Sequence, residues 1–288
     1  MLAGLAIFGA LFGLLMLAHR DISVAGRLVV GSGTAVGLAS PLAFVIAATM
    51  FLAFFAMAER RIWQVAVFSF ALLFDIYVAV TSGTRGVFVS AFVGIVTFVM
   101  LGMKNIRPAT IFGSILATFG ALWYVFPMLL GDSVFTTGLL RLLTNIDQGG
   151  VILDPSALDR LERFRAAWAM FRESPFFGTG MGAFDALTGL GYPHNIVLEL
   201  LSEQGVVGLV FFLGFIAAIL WRSAQILKRP GLRGEAAVLI ALFLAELAYL
   251  NLSMTLWMAK PLFLLGGLVS SARMHRRTND PCRNNRNA

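Results

Sequence analysis

The chain has 288 residues, 59% hydrophobic and 13% charged, with a net charge of +7 and a mean hydropathy of +0.85. A soluble domain is about 25% charged and about 45–50% apolar, so an ordinary soluble enzyme and a disordered chain are both excluded. Long uncharged runs point to a protein that uses lipid as solvent, where excess Lys and Arg reads as topology rather than as a nucleic-acid surface.

The first apolar run, 2–18, lacks a basic n-region and an A-x-A site, so it predicts a span rather than a cleaved signal peptide. Further runs of spanning length follow at 38–58, 62–81, 86–103 and 108–130. Three more lie at 206–227, 234–252 and 255–271. Strand alternation is absent, and backbone polar groups in lipid must be satisfied within each span. The expected fold is therefore all-α: a polytopic transmembrane bundle of about eight spans forming a single membrane domain over 1–288.

An even number of spans puts both ends on one side. With the basic tail 272–288 in the cytoplasm, that side carries 13 basic residues against three acids. The other side carries eight basic residues and ten acids, so the positive-inside rule is satisfied. Arg20 and Arg27 are a mild exception. The chain is expected in a bacterial inner membrane, with its working face external.

Cytoplasmic loops are short, whereas the external segment 131–205 is long enough to suggest function. Within it, Pro155-Ser156-Ala157 predicts a helix through 158–173, ended by Ser174-Pro175. A second helix is expected to start at Pro193, with His194 in its first turn, and to run into the span at 206.

Three clusters on this face could carry chemistry. Thr81-Ser82-Gly83-Thr84-Arg85-Gly86 joins two spans. Arg85 has two readings there: a snorkelling side chain, or a guanidinium for a phosphate or pyrophosphate approached closely across glycine. The second cluster runs Arg160-Leu161-Glu162-Arg163-Phe164-Arg165-Ala166-Ala167-Trp168. Helical spacing lets Phe164 and Trp168 pack down while arginines face a groove. The bland alternative is an amphipathic helix lying on the membrane. The run Gly178-Thr179-Gly180-Met181-Gly182-Ala183 matches the weak dinucleotide fingerprint, but no βαβ unit surrounds it, so a tight turn is expected.

The third cluster is Tyr192-Pro193-His194-Asn195 with Glu199 and Glu203. A histidine at a helix N-terminus tends to stay neutral and able to accept a proton; the competing reading is a structural histidine. Asn195, Glu199 and Glu203 recur every four residues as one polar stripe. No second histidine or cysteine is near for zinc, no G-x-S-x-G elbow appears, and the single Cys282 permits no internal disulfide. No metal or other cofactor is expected.

Three ionisable residues fall within spans, namely Asp75, Glu246 and Lys260, all at similar depth in the outer half of the bilayer. A charge cluster locking helices together is the expected reading, with a polar floor under the site or an ion path as alternatives.

Taken in order, these clusters resemble the O-antigen ligase and O-antigen polymerase superfamily. The resemblance rests on Ser82-Gly83-Thr84-Arg85-Gly86, on Arg160 through Pro175-Phe176-Phe177-Gly178-Thr179-Gly180, and on His194-Asn195 with Glu203-Gln204-Gly205. It covers about 80–252. The family usually has more spans, so this chain is short at its N-terminus. Phe164 stands where the pattern often has a tryptophan, which makes Arg160 the matching arginine, with Arg163 and Arg165 as competitors.

The resemblance implies a metal-independent glycosyltransferase using a polyprenyl-diphosphate-linked glycan donor and a glycan or lipid acceptor. Arg85 and Arg160 would hold the diphosphate and His194 would act as base, with Asn195, Glu199, Glu203, Asp75 and Lys260 in support. A ligase of surface polysaccharide is the leading expectation, and a repeat-unit polymerase shares the same motifs. A transporter would need ionisable groups at several depths and paired discontinuous helices, and a non-catalytic scaffold is the remaining alternative.

Overall fold

The computed structural model describes residues 21–22, 28–29, 35–82, 84–102, 155–229 and 232–271, with two isolated positions before them. The expected spans 2–18 and 108–130, the external stretch 131–154 and the basic tail 272–288 lie outside the described residues.

The described chain is helical apart from one small hairpin. Strands β1 (Asp21–Ile22) and β2 (Leu28–Val29) pair antiparallel with Asp21 opposite Val29, an element absent from the all-α expectation. Helices α1 (Ala35–Ala58), α2 (Ile62–Ser82) and α3 (Arg85–Gly102) follow. Next come α4 (Pro155–Glu173) and the short α5 (Ala183–Thr188). The long α6 (Ile196–Leu227), α7 (Arg233–Ser253), a 3-10 turn (Leu256–Met258) and α8 (Lys260–Ser271) complete the order.

Among the described residues, three helices are long and apolar enough to cross a membrane: Ile62–Val80, Ile196–Leu227 and Arg233–Ser253. Shorter apolar helices occupy Val45–Met57 and Gly86–Gly102. Composition, apolar helices and wide exposure of large apolar side chains such as Trp63, Phe70, Phe211 and Trp221 together describe a membrane protein.

The centre of the bundle is α7 against α3. Small residues let these backbones approach: a Cβ added at Gly94 would meet Ala245 and Ala241, and one at Gly102 would meet Ala237. Spacing of eight residues along α3, with alanines opposite, is the small-residue seam by which helices pack in lipid. The hydroxyl of Ser90 donates to the carbonyl of Ala245 across the same seam. Leu42, Phe51, Val78, Phe243, Tyr249 and Leu250 fill the surrounding core. A second, small core of Ala167, Met170 and Phe184, with Leu190 and Leu198 against it, holds α4 to α5 and α6.

Two expectations about spans are corrected. The run 255–271 is not one helix: Met254 and Thr255 are extended and a 3-10 turn precedes α8. The cause is a set of hydrogen bonds from outside the run, described below. A discontinuity also interrupts α6 at Gly205, where φ is 66° and ψ −165°. Only glycine adopts that geometry without strain.

Asp75, Glu246 and Lys260 do not form the expected charge cluster. Asp75 is buried and accepts a hydrogen bond from Thr49 (3.2 Å). Glu246 is buried with neither oxygen hydrogen-bonded among the described residues, whereas Lys260 is exposed at the start of α8. Among the described residues none of the three makes an ion pair. Shared depth did not bring them together, because they sit on different helices with different facings.

Candidate functional site

Helix α4 forms where Pro155 opens it and Ser174-Pro175 closes it, as the local sequence dictates. Its three candidate arginines have different surroundings. Arg163 is held: Nε and Nη2 donate to both oxygens of Asp159 (2.9 and 3.0 Å), and Nη1 donates to the carbonyl of Tyr192 (3.3 Å). The hydrogen-bonded guanidinium keeps the Asp159 carboxyl below the usual carboxylate range. Arg165 is exposed. Arg160 is half-buried and makes no hydrogen bond or ion pair among the described residues, yet its charge acts on both His194 and Asp159.

The expected aromatic packing is corrected. Trp168 is 48% exposed and stacks on Phe171, with ring centroids 5.2 Å apart. The face that packs down carries Ala167 and Met170 instead. A helix lying over a small core admits alanine and methionine at the contact, leaving the indole outside.

After α4 the chain makes the expected tight turn, with Gly178, Gly180 and Gly182 at φ of 69°, 107° and 77°. Its use was not expected. The turn inserts into the break in α6. At Gly205 the helix leaves carbonyls and amides without helical partners, and the turn supplies them. Thr179 N–H donates to Ser202 O (3.0 Å) and Gly180 N–H to Glu203 O (2.9 Å). In return Val206 N–H donates to Pro175 O (2.9 Å) and Val207 N–H to Phe176 O (3.2 Å). Four backbone hydrogen bonds thus close an interrupted helix, as apolar surroundings require. A Cβ at Gly178 would strike the backbone of Glu203 and Gln204, and one at Gly205 the backbone of Phe176 and Phe177.

The third cluster grips the end of α7. His194 precedes the helix rather than lying in its first turn: its φ is 58°, and Asn195 is the N-cap, accepting Leu198 N–H at 3.0 Å. The capping side chain, not Pro193, decides where α6 starts. Asn195 Nδ2 also donates to Asn251 O (3.3 Å). Nδ1 of His194 lies 3.2 Å from Ser253 O. Because a carbonyl only accepts, Nδ1 carries the hydrogen, and Nε2 of the neutral ring keeps its lone pair. Tyr192 packs on the imidazole with centroids 4.3 Å apart.

Burial lowers the pKa of His194 below 6.5. The Ser253 carbonyl opposes that shift, Arg160 and Arg163 add to it, and Asp159 opposes it. The neutrality expected from a helix terminus therefore arises from desolvation and neighbouring arginines instead.

Glu199 and Glu203 share one side of α6, as the spacing implies, but both are buried and serve structure. Glu199 accepts from the hydroxyl of Thr255 and, through both oxygens, from Leu256 N–H (3.1 and 3.0 Å). That carboxylate fixes the extended turn which interrupts 255–271. Glu203 accepts from Phe184 N–H (3.2 Å) at the start of α5.

Ser253 is the meeting point. Its carbonyl holds His194, and its buried hydroxyl lies where a Cβ on Gly86 would come within 2.8 Å. Tyr249 lies against the same glycine, at 3.2 Å from that position. The first cluster thus meets the third through α7, since Arg85 opens α3 immediately before Gly86. Sequence reasoning missed Asn251, Ser253 and Thr255. The available signal was three polar side chains in Asn251-Leu252-Ser253-Met254-Thr255, at the end of an otherwise apolar run.

Comparison with known proteins places the chain in a family. No curated protein matches the chain. A family model described as O-antigen ligase matches residues 68–213, a little over half of the chain, from within α2 to beyond the break in α6. That stretch holds Arg85, Arg160, His194, the three glycines of the inserted turn and Gly205. The chain belongs to the O-antigen ligase family, with a ligase- or polymerase-type function in polysaccharide biosynthesis.

Proposed function

We propose that the protein is a ligase-type glycosyltransferase that moves a glycan from polyprenyl diphosphate to an acceptor hydroxyl at the external face of the inner membrane. The observation that carries this reading is the environment of His194. Its Nδ1 is committed to Ser253 O, its Nε2 keeps a lone pair, and Arg160 stands near without a partner among the described residues.

In this reaction the acceptor oxygen attacks the anomeric carbon while Nε2 of His194 takes the hydroxyl proton. The bond from that carbon to the diphosphate oxygen breaks, and the electron pair leaves with the polyprenyl diphosphate. Arg160, with Arg85 at the opening of α3, meets the charge that develops there, so a metal ion is not required. Arg163 is a positioning residue: spent on Asp159 and on the carbonyl of Tyr192, it holds the loop that carries His194. Asn195 and Glu199 position the end of α7 that orients the ring.

This reading has the chain as one membrane domain with both termini cytoplasmic, 131–205 as its external segment and 272–288 as a basic tail. The broken helix does not favour transport, because the groups freed at Gly205 are filled by the chain's own turn rather than left to coordinate an ion.

The test is glycan transfer in membranes containing lipid-linked donor. A His194→Ala variant expressed at the normal level should lose transfer by roughly 10²–10⁴-fold. Unchanged transfer would remove His194 as the base. Accumulation of lipid-linked polymer in the variant marks a ligase, and accumulation of single repeats marks a polymerase.

A further inference from the structure

The exposed side of α6 is apolar from Val206 and Val207 through Val210, Phe211 and Leu213 to Trp221, after which Arg222 follows. At 1.5 Å per residue, Val206 to Trp221 spans roughly 22 Å. A bilayer's hydrocarbon core is about 30 Å thick. The helix continues before Val206, but none of its residues from Ile196 to Gly205 is exposed. The apolar band on this side therefore falls short by roughly 8 Å.

Phe176 and Phe177 stand at that end. Pro175 O and Phe176 O accept the amides of Val206 and Val207, which fixes the two phenylalanines beside the first residues after the break. Their exposures are 69% and 76%, so two adjacent large apolar rings stand uncovered. Val206 and Val207, to which the turn is bonded, are themselves exposed and open the apolar band of α6.

We propose that Phe176 and Phe177 are a lipid-inserted wedge that extends the hydrophobic length of α6 into the acyl region of the leaflet at its N-terminal end. The partner is the hydrocarbon of the bilayer. Rings placed beside a backbone turn add apolar height where the helix itself cannot, since its own preceding residues are covered by the protein. The wedge also sets the level of the site: the turn carrying it is bonded to α6, and His194 stands two residues before that helix. Insertion rests on α6 crossing the membrane and is independent of the reaction.

Site-directed spin labelling of the full chain in phosphatidylcholine–phosphatidylglycerol proteoliposomes tests it. On a Cys282→Ser background, single labels are placed at Phe177→Cys, at Phe176→Cys, at Phe211→Cys within the span and at Asp185→Cys on the exposed α5. Collision rates with oxygen, which partitions into lipid, and with a water-soluble nickel chelate are compared. The expected result is an oxygen-to-nickel ratio at 176 and 177 severalfold above that at 185 and approaching that at 211. A ratio equal to that at 185 would mean the turn faces water and would overturn the proposal. Low collision with both reagents would mean that protein, such as the 131–154 segment or a second copy, covers the rings, and would overturn it equally.

Discussion

Gly178 and Gly205 meet where the inserted turn enters the break in α6, and a Cβ on either would run into the backbone of the segment carrying the other. Both have positive φ, of 69° and 66°. Gly178→Ala and Gly205→Ala are each expected to cost about 1–3 kcal/mol from backbone strain, with further loss from the clash. Thermal unfolding in detergent measures it. The double variant should cost less than the sum, because each substitution expels the same turn.

Proton uptake by His194 should be visible in the pH profile of transfer. Burial and the nearby arginines lower its pKa below 6.5, so the rate should rise with pH along a limb centred below 6.5. Arg160→Ala removes one of the charges that depress it. That limb should then move to higher pH while the maximal rate falls, whereas Arg160→Lys should leave the limb in place. Stability follows the same sign: the group's contribution is full above 6.5 and is lost as pH falls through its lower folded value.

The three arginines of α4 should separate by the kind of damage they cause. Arg163→Ala leaves Asp159 and the Tyr192 carbonyl without their donor and should lower stability by about 1–3 kcal/mol. A double-mutant cycle with Asp159→Ala should show coupling. Arg165→Ala, on an exposed side chain, should stay within about 0.5 kcal/mol of the parent in stability. Arg160→Ala should leave the melting temperature unchanged and reduce transfer.

Glu199→Ala should detach the turn between α7 and α8. It strips the acceptor from Thr255 and Leu256 in a buried place, at a cost of about 2–3 kcal/mol. Glu199→Gln keeps one acceptor oxygen and should cost less. Because Ser253 lies two residues before Thr255, transfer should fall in both variants in the order of their stability loss, and the His194 limb should shift with it.

Hydrophobic length and charge bias were enough to read α1, α2, α3 and α7 to within a few residues, since both follow from the chain's own residues. Helix α4 was legible for the same reason, its ends written in Pro155 and Ser174-Pro175. What could not be read was how distant segments satisfy one another. The discontinuity at Gly205 has partners about thirty residues earlier, and nothing local to Glu203-Gln204-Gly205 distinguishes a break from a tolerated helical glycine. The acids of α6 read as one polar stripe, and their burial could not be read, because spacing gives a face but not what covers it. Lys260 and Asp75 shared a depth yet not a neighbourhood, for the same reason. His194 was legible as a residue of interest, whereas its orientation depends on a main-chain carbonyl, which no side-chain pattern reveals.

The inserted turn has a bearing on how the protein can be divided. Its donors at Thr179 and Gly180 find acceptors only beyond residue 200, and its acceptors at Pro175 and Phe176 serve amides of α6. A fragment cut before Gly205 would lose the Val206 and Val207 amides that Pro175 and Phe176 accept, half of what closes the turn, so antibodies raised on it would meet a different surface from that of the whole protein. A fragment that retains this architecture must include α6, and with it a helix long and apolar enough to cross a membrane.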